Sequence, residues 1–155
     1  PITVGPGLLE DDTIPRNIAR RAQRLAPPNP RSGVVICTYG SIRYRKQWEA
    51  LRERIGIHMS GLGYGACREA QVGHSVEHRP DPTRLAITEL LGTHDEVLVV
   101  PALMARGKLH TEVIEVALAA LAPAQRARVH YGGDAILPDP ALADQLERQA
   151  LEMEA

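Results

Sequence analysis

Two short stretches of this chain are apolar without a break, and between them apolar residues recur at helical spacing. Val34 to Ser41 reads Val-Val-Ile-Cys-Thr-Tyr-Gly-Ser, and Glu96 to Pro101 reads Glu-Val-Leu-Val-Val-Pro. Runs of this length, bounded by turn residues and rich in β-branched side chains, predict strands buried on both faces. After the first, Trp48, Leu51 and Ile55 fall on one side of a helix from Arg45 to Gly56, with Arg45, Lys46, Glu49, Arg52 and Glu53 opposite. The glycines of Ser60 to Gly65 predict a turn, and Ala66 to Val72 a second strand. Asp81-Pro82 starts a helix that Gly92 stops. Beyond the Glu96–Pro101 strand, Val113, Ile114, Ala117, Leu118 and Leu121 mark another helix. Arg126 to Tyr131 is a short fourth strand, and Asp139-Pro140 opens a last helix through Leu142, Leu146 and Ala150.

Strand and helix alternate four times, which with right-handed crossovers gives an α/β domain: a parallel four-stranded sheet, flavodoxin-like, with helices on both faces. In such a sheet ligands collect beyond the carboxyl ends of the strands where the order reverses. Those ends carry Tyr39 to Arg43 after the first strand and Met104 to His110 after the third.

The opening residues carry their own signals. Pro1-Ile-Thr-Val4 fits a short strand, Ile14, Ile18, Ala22 and Leu25 a helical stripe, and Pro27-Pro28-Asn29-Pro30 a linker. Residues 1–30 therefore read as a segment apart from an α/β domain at 31–155. An apolar pair, acidic turn residues and an Arg-and-Gln helix occur at both Leu8–Leu25 and Ile136–Leu151. If that likeness is a repeat, residues 1–25 close a preceding related lobe; because the chain starts at Pro1 rather than Met, a processed start, a trimmed one and a fragment of something longer all stay open.

Composition narrows the classes. With 155 residues, 44% hydrophobic, no Phe and one Trp, the core must be Ala, Val, Leu and Ile. Eighteen Lys plus Arg against nineteen Asp plus Glu argue against a nucleic-acid partner held by bulk electrostatics. No apolar run approaches the length of about 20 residues that spans a bilayer, so no membrane partner and a cytoplasmic location are expected. Cys37 and Cys67 fit buried thiols rather than a disulfide or a paired-cysteine metal site.

Chemistry concentrates at the two strand ends. Arg43, Arg106 and Lys108 suit a ligand bearing carboxylates or phosphates, whereas Arg45 and Lys46 fit the solvated face of a helix. His110 lies at a helix start, where the dipole favours a neutral imidazole able to take a proton or bind a divalent metal. His74 and His78, with Glu77 between them, emerge after the second strand and are candidate metal ligands, though not in the H-E-x-x-H pattern. His58, His94 and His130 carry no functional expectation.

The order of these features resembles the class II tetrapyrrole chelatases, the sirohydrochlorin cobaltochelatases and ferrochelatases and their nickel-inserting relatives. The likeness covers Val34 to about Glu152: a Gly-Ser turn after a buried strand, an Arg-bearing helix with an early Trp, a Glu-and-Pro loop, Val-Val-Pro closing the third strand, Gly-x-x-His opening the next helix, and Leu-Pro-Asp-Pro-Ala-Leu. The resemblance implies insertion of Co2+ or Fe2+, as substrate, into a sirohydrochlorin-type tetrapyrrole in cobalamin or siroheme synthesis. No organic cofactor follows from it, and a second lobe completes the cleft, as a homodimer or as a missing segment.

By the same resemblance Gly40 and Ser41 match the family's His-Gly-Ser turn, His110 its second histidine and Glu77 its loop carboxylate. Histidine and glutamate then handle the metal and the pyrrole protons, with Arg and Lys on the substrate's carboxylates. Tyr39 departs from the pattern by standing where the first histidine belongs, and a phenol is the weaker base and ligand at neutral pH. Three explanations stay open: His74 or His78 takes over, a partner lobe supplies the group, or insertion is lost. A non-catalytic tetrapyrrole- or metal-binding lobe, and a flavodoxin-like module for another anionic ligand, are the alternatives.

Overall fold

The computed structural model describes residues 11–154, so the expected strand at Pro1–Val4 lies outside the described residues. Four parallel strands, β1 (Ser32–Thr38), β2 (Ala66–Gln71), β3 (Glu96–Ala102) and β4 (Val129–Tyr131), form one sheet in the order β2-β1-β3-β4. β1 pairs with β3 from Ser32–Glu96 to Thr38–Ala102, and with β2 from Gly33–Ala66 to Thr38–Gln71. The order reverses between β1 and β3, so both central strands deliver their carboxyl ends to one switch point.

Alternation along the central strands sends side chains to opposite faces, and each face has its own helices. Val34, Ile36, Leu98 and Val100 meet Ile14, Ile18 and Ala22 of α1 (Thr13–Leu25), Leu51, Ile55 and Met59 of α2 (Arg45–Leu62), and Leu142 of the C-terminal helix. On the other face Val35, Cys37, Val97 and Val99 meet Ile87 and Leu90 of α3 (Asp81–Leu91) and Val113, Ile114 and Leu118 of the helix after β3. That helix opens with a π-helical stretch, Leu109–Ile114, and continues as α4 (Glu115–Ala119). A single turn, α5 (Pro123–Arg126), precedes β4, and α6 (Pro140–Glu154) ends the described chain.

Three features differ from the pattern-based expectation. α2 runs on past Gly56 to Leu62, because Met59 continues the stripe of Leu51 and Ile55 into the core and a Cβ at Gly56 or Gly61 would meet nothing. The helix ends where Gly63 adopts a left-handed φ of 96°, which only glycine takes without strain. Arg126 belongs to α5, since Pro123 starts a helical turn there, and β4 is three residues long. Cys67 is exposed, because β2 is an edge strand of the sheet, whereas Cys37 is buried in the central β1.

α1 is part of the same core as the sheet. Arg21, 2% exposed, donates to the carbonyl of Pro101 at 2.7 Å and clasps Asp134 with two bonds of 3.0 and 2.9 Å. Asn17 donates to Ile136 O and to Asp139 Oδ2, and Arg20 reaches the same carboxylate at 2.8 Å. The helix thereby pins the 134–139 segment beside the end of β3.

Candidate functional site

The chain leaves β1 through Tyr39, Gly40 and Ser41. Gly40 has φ +67°, and a Cβ there would come within 2.6 Å of Ser75 Oγ and 2.8 Å of Gln71, so the turn closes down onto β2 as only glycine allows. The backbone of Tyr39 accepts a bond from Gly73 N–H at 2.8 Å, which holds its ring over the glycine. The ring lies tilted at 6.5 Å from Trp48 and edge-on at 5.8 Å from His74.

Between the ends of β1 and β3 lies a cleft of about 440 Å³, walled by Tyr39, Trp48, Leu103, Met104 and Leu109, with Lys108 and His110 also lining it. Its walls are mostly apolar, and its size falls within the range of about 300–1,000 Å³ usual for ligand sites. On the far side of Trp48 a second cleft, of about 390 Å³, is lined by Ser41, Arg45, Arg52, Gln71 and Ser75 and by the carboxylates of Glu49 and Glu69, the latter paired with Arg52. One indole thus separates an apolar chamber from a polar one.

His110 forms part of the floor rather than the rim. It is fully buried in the π-helical stretch, a distortion frequent at functional sites. Gly107 N–H donates to its Nδ1 at 3.3 Å, so Nδ1 carries no proton and Nε2–H donates to the carbonyl of Asp134 at 3.0 Å. The Asp134 carboxylate, raised by partial burial but lowered further by Arg21 and Arg24, is held below its usual range and stays charged against Arg21. A chain of contacts therefore runs from α1 through Arg21 and Asp134 to the imidazole.

The other expected site residues separate into groups. Tyr39, Lys108 and His110 share the apolar cleft, Ser41 lines the polar one, and Gly40 makes the turn between. Arg43 stands exposed in the same turn, stacked on Tyr44 at 5.4 Å. Arg106 turns away toward β4, donating to Glu115 Oε1 at 2.8 Å and to Gly133 O. Glu77 and His78 are exposed in the loop after β2, both with φ of 54°, a left-handed conformation uncommon outside glycine. Among the described residues no group of three or more His, Cys, Asp and Glu converges as a metal cage.

Pattern reading missed Arg45 and Trp48 as lining residues and Arg21 and Asp134 as supports. The lone Trp on the first turn of α2 was a usable signal for Trp48. Arg45 had none, since a lining cation and a solvated one occupy the same helical positions. Cys37 is no nucleophile, because burial, partly offset by Thr83, pushes its thiol up to about 12.

Comparison of the chain with protein-family models gives no match, and comparison with curated protein sequences gives none either.

Proposed function

We propose that the switch-point cleft binds a sirohydrochlorin-type tetrapyrrole and that the chain is a chelatase lobe inserting Co2+ or Fe2+ into it. One observation carries this reading: the apolar cleft holds Lys108 and the polar cleft across Trp48 holds Arg45, two cations with no ion-pair partner among the described residues. Among the described residues Arg43, Arg45 and Lys108 have no acidic partner, whereas Arg20, Arg21, Arg31, Arg52, Arg68 and Arg106 each lie within 3.1 Å of a carboxylate oxygen. A flat macrocycle rimmed with carboxylates presents the complementary pattern, with faces for Tyr39, Trp48 and Met104 and anions for the unpaired cations.

In this reading His110 Nδ1 is the base. Its bond from Gly107 is long at 3.3 Å, so a pyrrole N–H is a better partner once the 104–108 loop yields. The Asp134 carbonyl keeps the proton on Nε2 and leaves Nδ1 ready to accept one. Glu77, whose carboxylate has no hydrogen-bond partner among the described residues, takes part from the β2 side, and Tyr39 lines the chamber. The metal is the substrate.

The test is anaerobic metallation of sirohydrochlorin followed by visible absorbance. The intact protein accelerates it above the protein-free rate; His110→Ala lowers that acceleration at least tenfold and His94→Ala leaves it unchanged, with retained fold checked by circular dichroism. Equal effects of the two substitutions contradict the role of His110. A second reading, binding without insertion, draws on the full engagement of both His110 nitrogens and on the phenol at Tyr39. It predicts tetrapyrrole binding without acceleration, and a gain of activity on Tyr39→His.

A further inference from the structure

Six histidines occur in the chain, and the structure sorts them by whether their nitrogens are spoken for. His110 uses both. His94 Nδ1 lies 2.9 Å from Thr93 Oγ1, His130 Nε2 2.6 Å from Glu96 Oε2, and His58 Nε2 3.6 Å from Asp12. His74 and His78 alone have no hydrogen-bond or ion-pair partner for either ring among the described residues, and their rings face one another, T-shaped, with centroids 4.6 Å apart.

The pairing is built by the backbone. After β2 a single 3₁₀ turn, His74–Val76, is followed by two successive non-glycine residues with φ of 54°, Glu77 and His78. That reversal, closed by the bond from His78 N–H to Gly73 O at 3.1 Å, brings the second imidazole back over the first. Left-handed backbone costs about 1–2 kcal/mol per residue outside glycine, and such strain gathers at sites of function. Two imidazoles on one metal hold their nitrogens about 3.3 Å apart, given metal–nitrogen distances of about 2.0–2.1 Å. The two rings, with centroids 4.6 Å apart, are already within the reach of one shared ion.

We infer that His74 and His78 form a two-imidazole docking site for a divalent transition metal at the edge of the cleft, separate from His110. The site rests on the chelatase reading only for its purpose, which is to hold metal one aromatic ring, Tyr39, away from the tetrapyrrole chamber. Imidazole nitrogens select cobalt, nickel, copper and zinc over magnesium and calcium. With no third ligating residue converging among the described residues, water completes the coordination shell. Such a site exchanges its ion readily, as a donor to a macrocycle must.

The experiment is a Co2+ titration of the tag-free full chain without tetrapyrrole, followed by calorimetry and by paramagnetic broadening of the histidine ring signals. His74 and His78 broaden first. His74→Gln and His78→Asn, the latter chosen because Asn tolerates left-handed backbone, each weaken binding about tenfold, and His94→Gln leaves it unchanged. Unchanged affinity in both loop variants, first broadening at another histidine, or no cobalt binding overturns the inference. A sirohydrochlorin titration of the same variants, expected within twofold of the parent protein, separates the two claims. In the parent protein, no cobalt binding with sirohydrochlorin binding present removes only the docking site, and cobalt binding lost in the two loop variants with no sirohydrochlorin binding in the parent removes only the chelatase reading.

Discussion

Arg21 shows most plainly how a single side chain ties the fold to the site. A guanidinium 2% exposed must have its donors matched, and it has: Pro101 O, Asn17 Oδ1 and both oxygens of Asp134 accept from it. Arg21→Met is expected to cost about 2–3 kcal/mol, below the roughly 3–5 for a fully buried pair because Asp134 is partly exposed. Arg24→Met, whose guanidinium is 3.9 Å from Asp134 and exposed, changes stability by less than about 0.5 kcal/mol. The Asp134 carboxyl is depressed in the folded state, so its stabilisation is present above the usual carboxylate range near pH 4 and is lost as pH falls below it. The Arg21→Met penalty, read from urea midpoints, therefore shrinks on acidification, and a penalty constant from pH 7 to pH 3 contradicts the role of the pair. None of this was legible in the sequence. Arg21 and Arg24 are two of five arginines in a short stretch, and only the fold decides which one meets the core. The positions of Tyr39 and Gly40 were legible because they follow directly on a buried strand, and that of Lys108 because it lies in the loop that leaves the third strand. The direction of Arg106 was not, since one residue of loop geometry decides between the cleft and Glu115.

At the scale of elements, hydrophobic periodicity located every strand and the main helices, because burial on two faces leaves an unbroken apolar run and burial on one leaves a stripe. It failed where composition and burial part company. The glycines of α2 suggest a turn, yet Met59 is buried and the helix continues beneath them. The role of α1 was the larger omission. Its stripe of Ile14, Ile18 and Ala22 was visible, but not that the stripe covers β3 and adjoins α2. A chain beginning at Arg31 would expose Val34, Ile36, Leu98 and Val100 and lose the Asn17, Arg20 and Arg21 clamps on residues 134–139. We expect it to be aggregated or molten by near-ultraviolet circular dichroism and thermal melting. A cooperative melt within about 5 °C of the full chain would show that α1 is dispensable.

For the molecule as a whole, the distribution of charge says more than its sum. A net charge of −1 excludes little about small anionic ligands, because most of the arginines are neutralised in place by the carboxylates beside them. Among the cations without an acidic partner, Arg45 and Lys108 line the two clefts at the switch point of the sheet, on either side of Trp48. Among the described residues no helix is long and apolar enough to cross a membrane. Whether the apolar chamber accepts a planar polycarboxylate is decided by a visible-absorbance titration of the protein with sirohydrochlorin. A saturable spectral shift is expected, weakened about tenfold by Arg45→Ala and by Trp48→Ala, and weakened by added salt through the rim cations. A titration with no saturable shift, or one indifferent to both substitutions, contradicts the proposed binding.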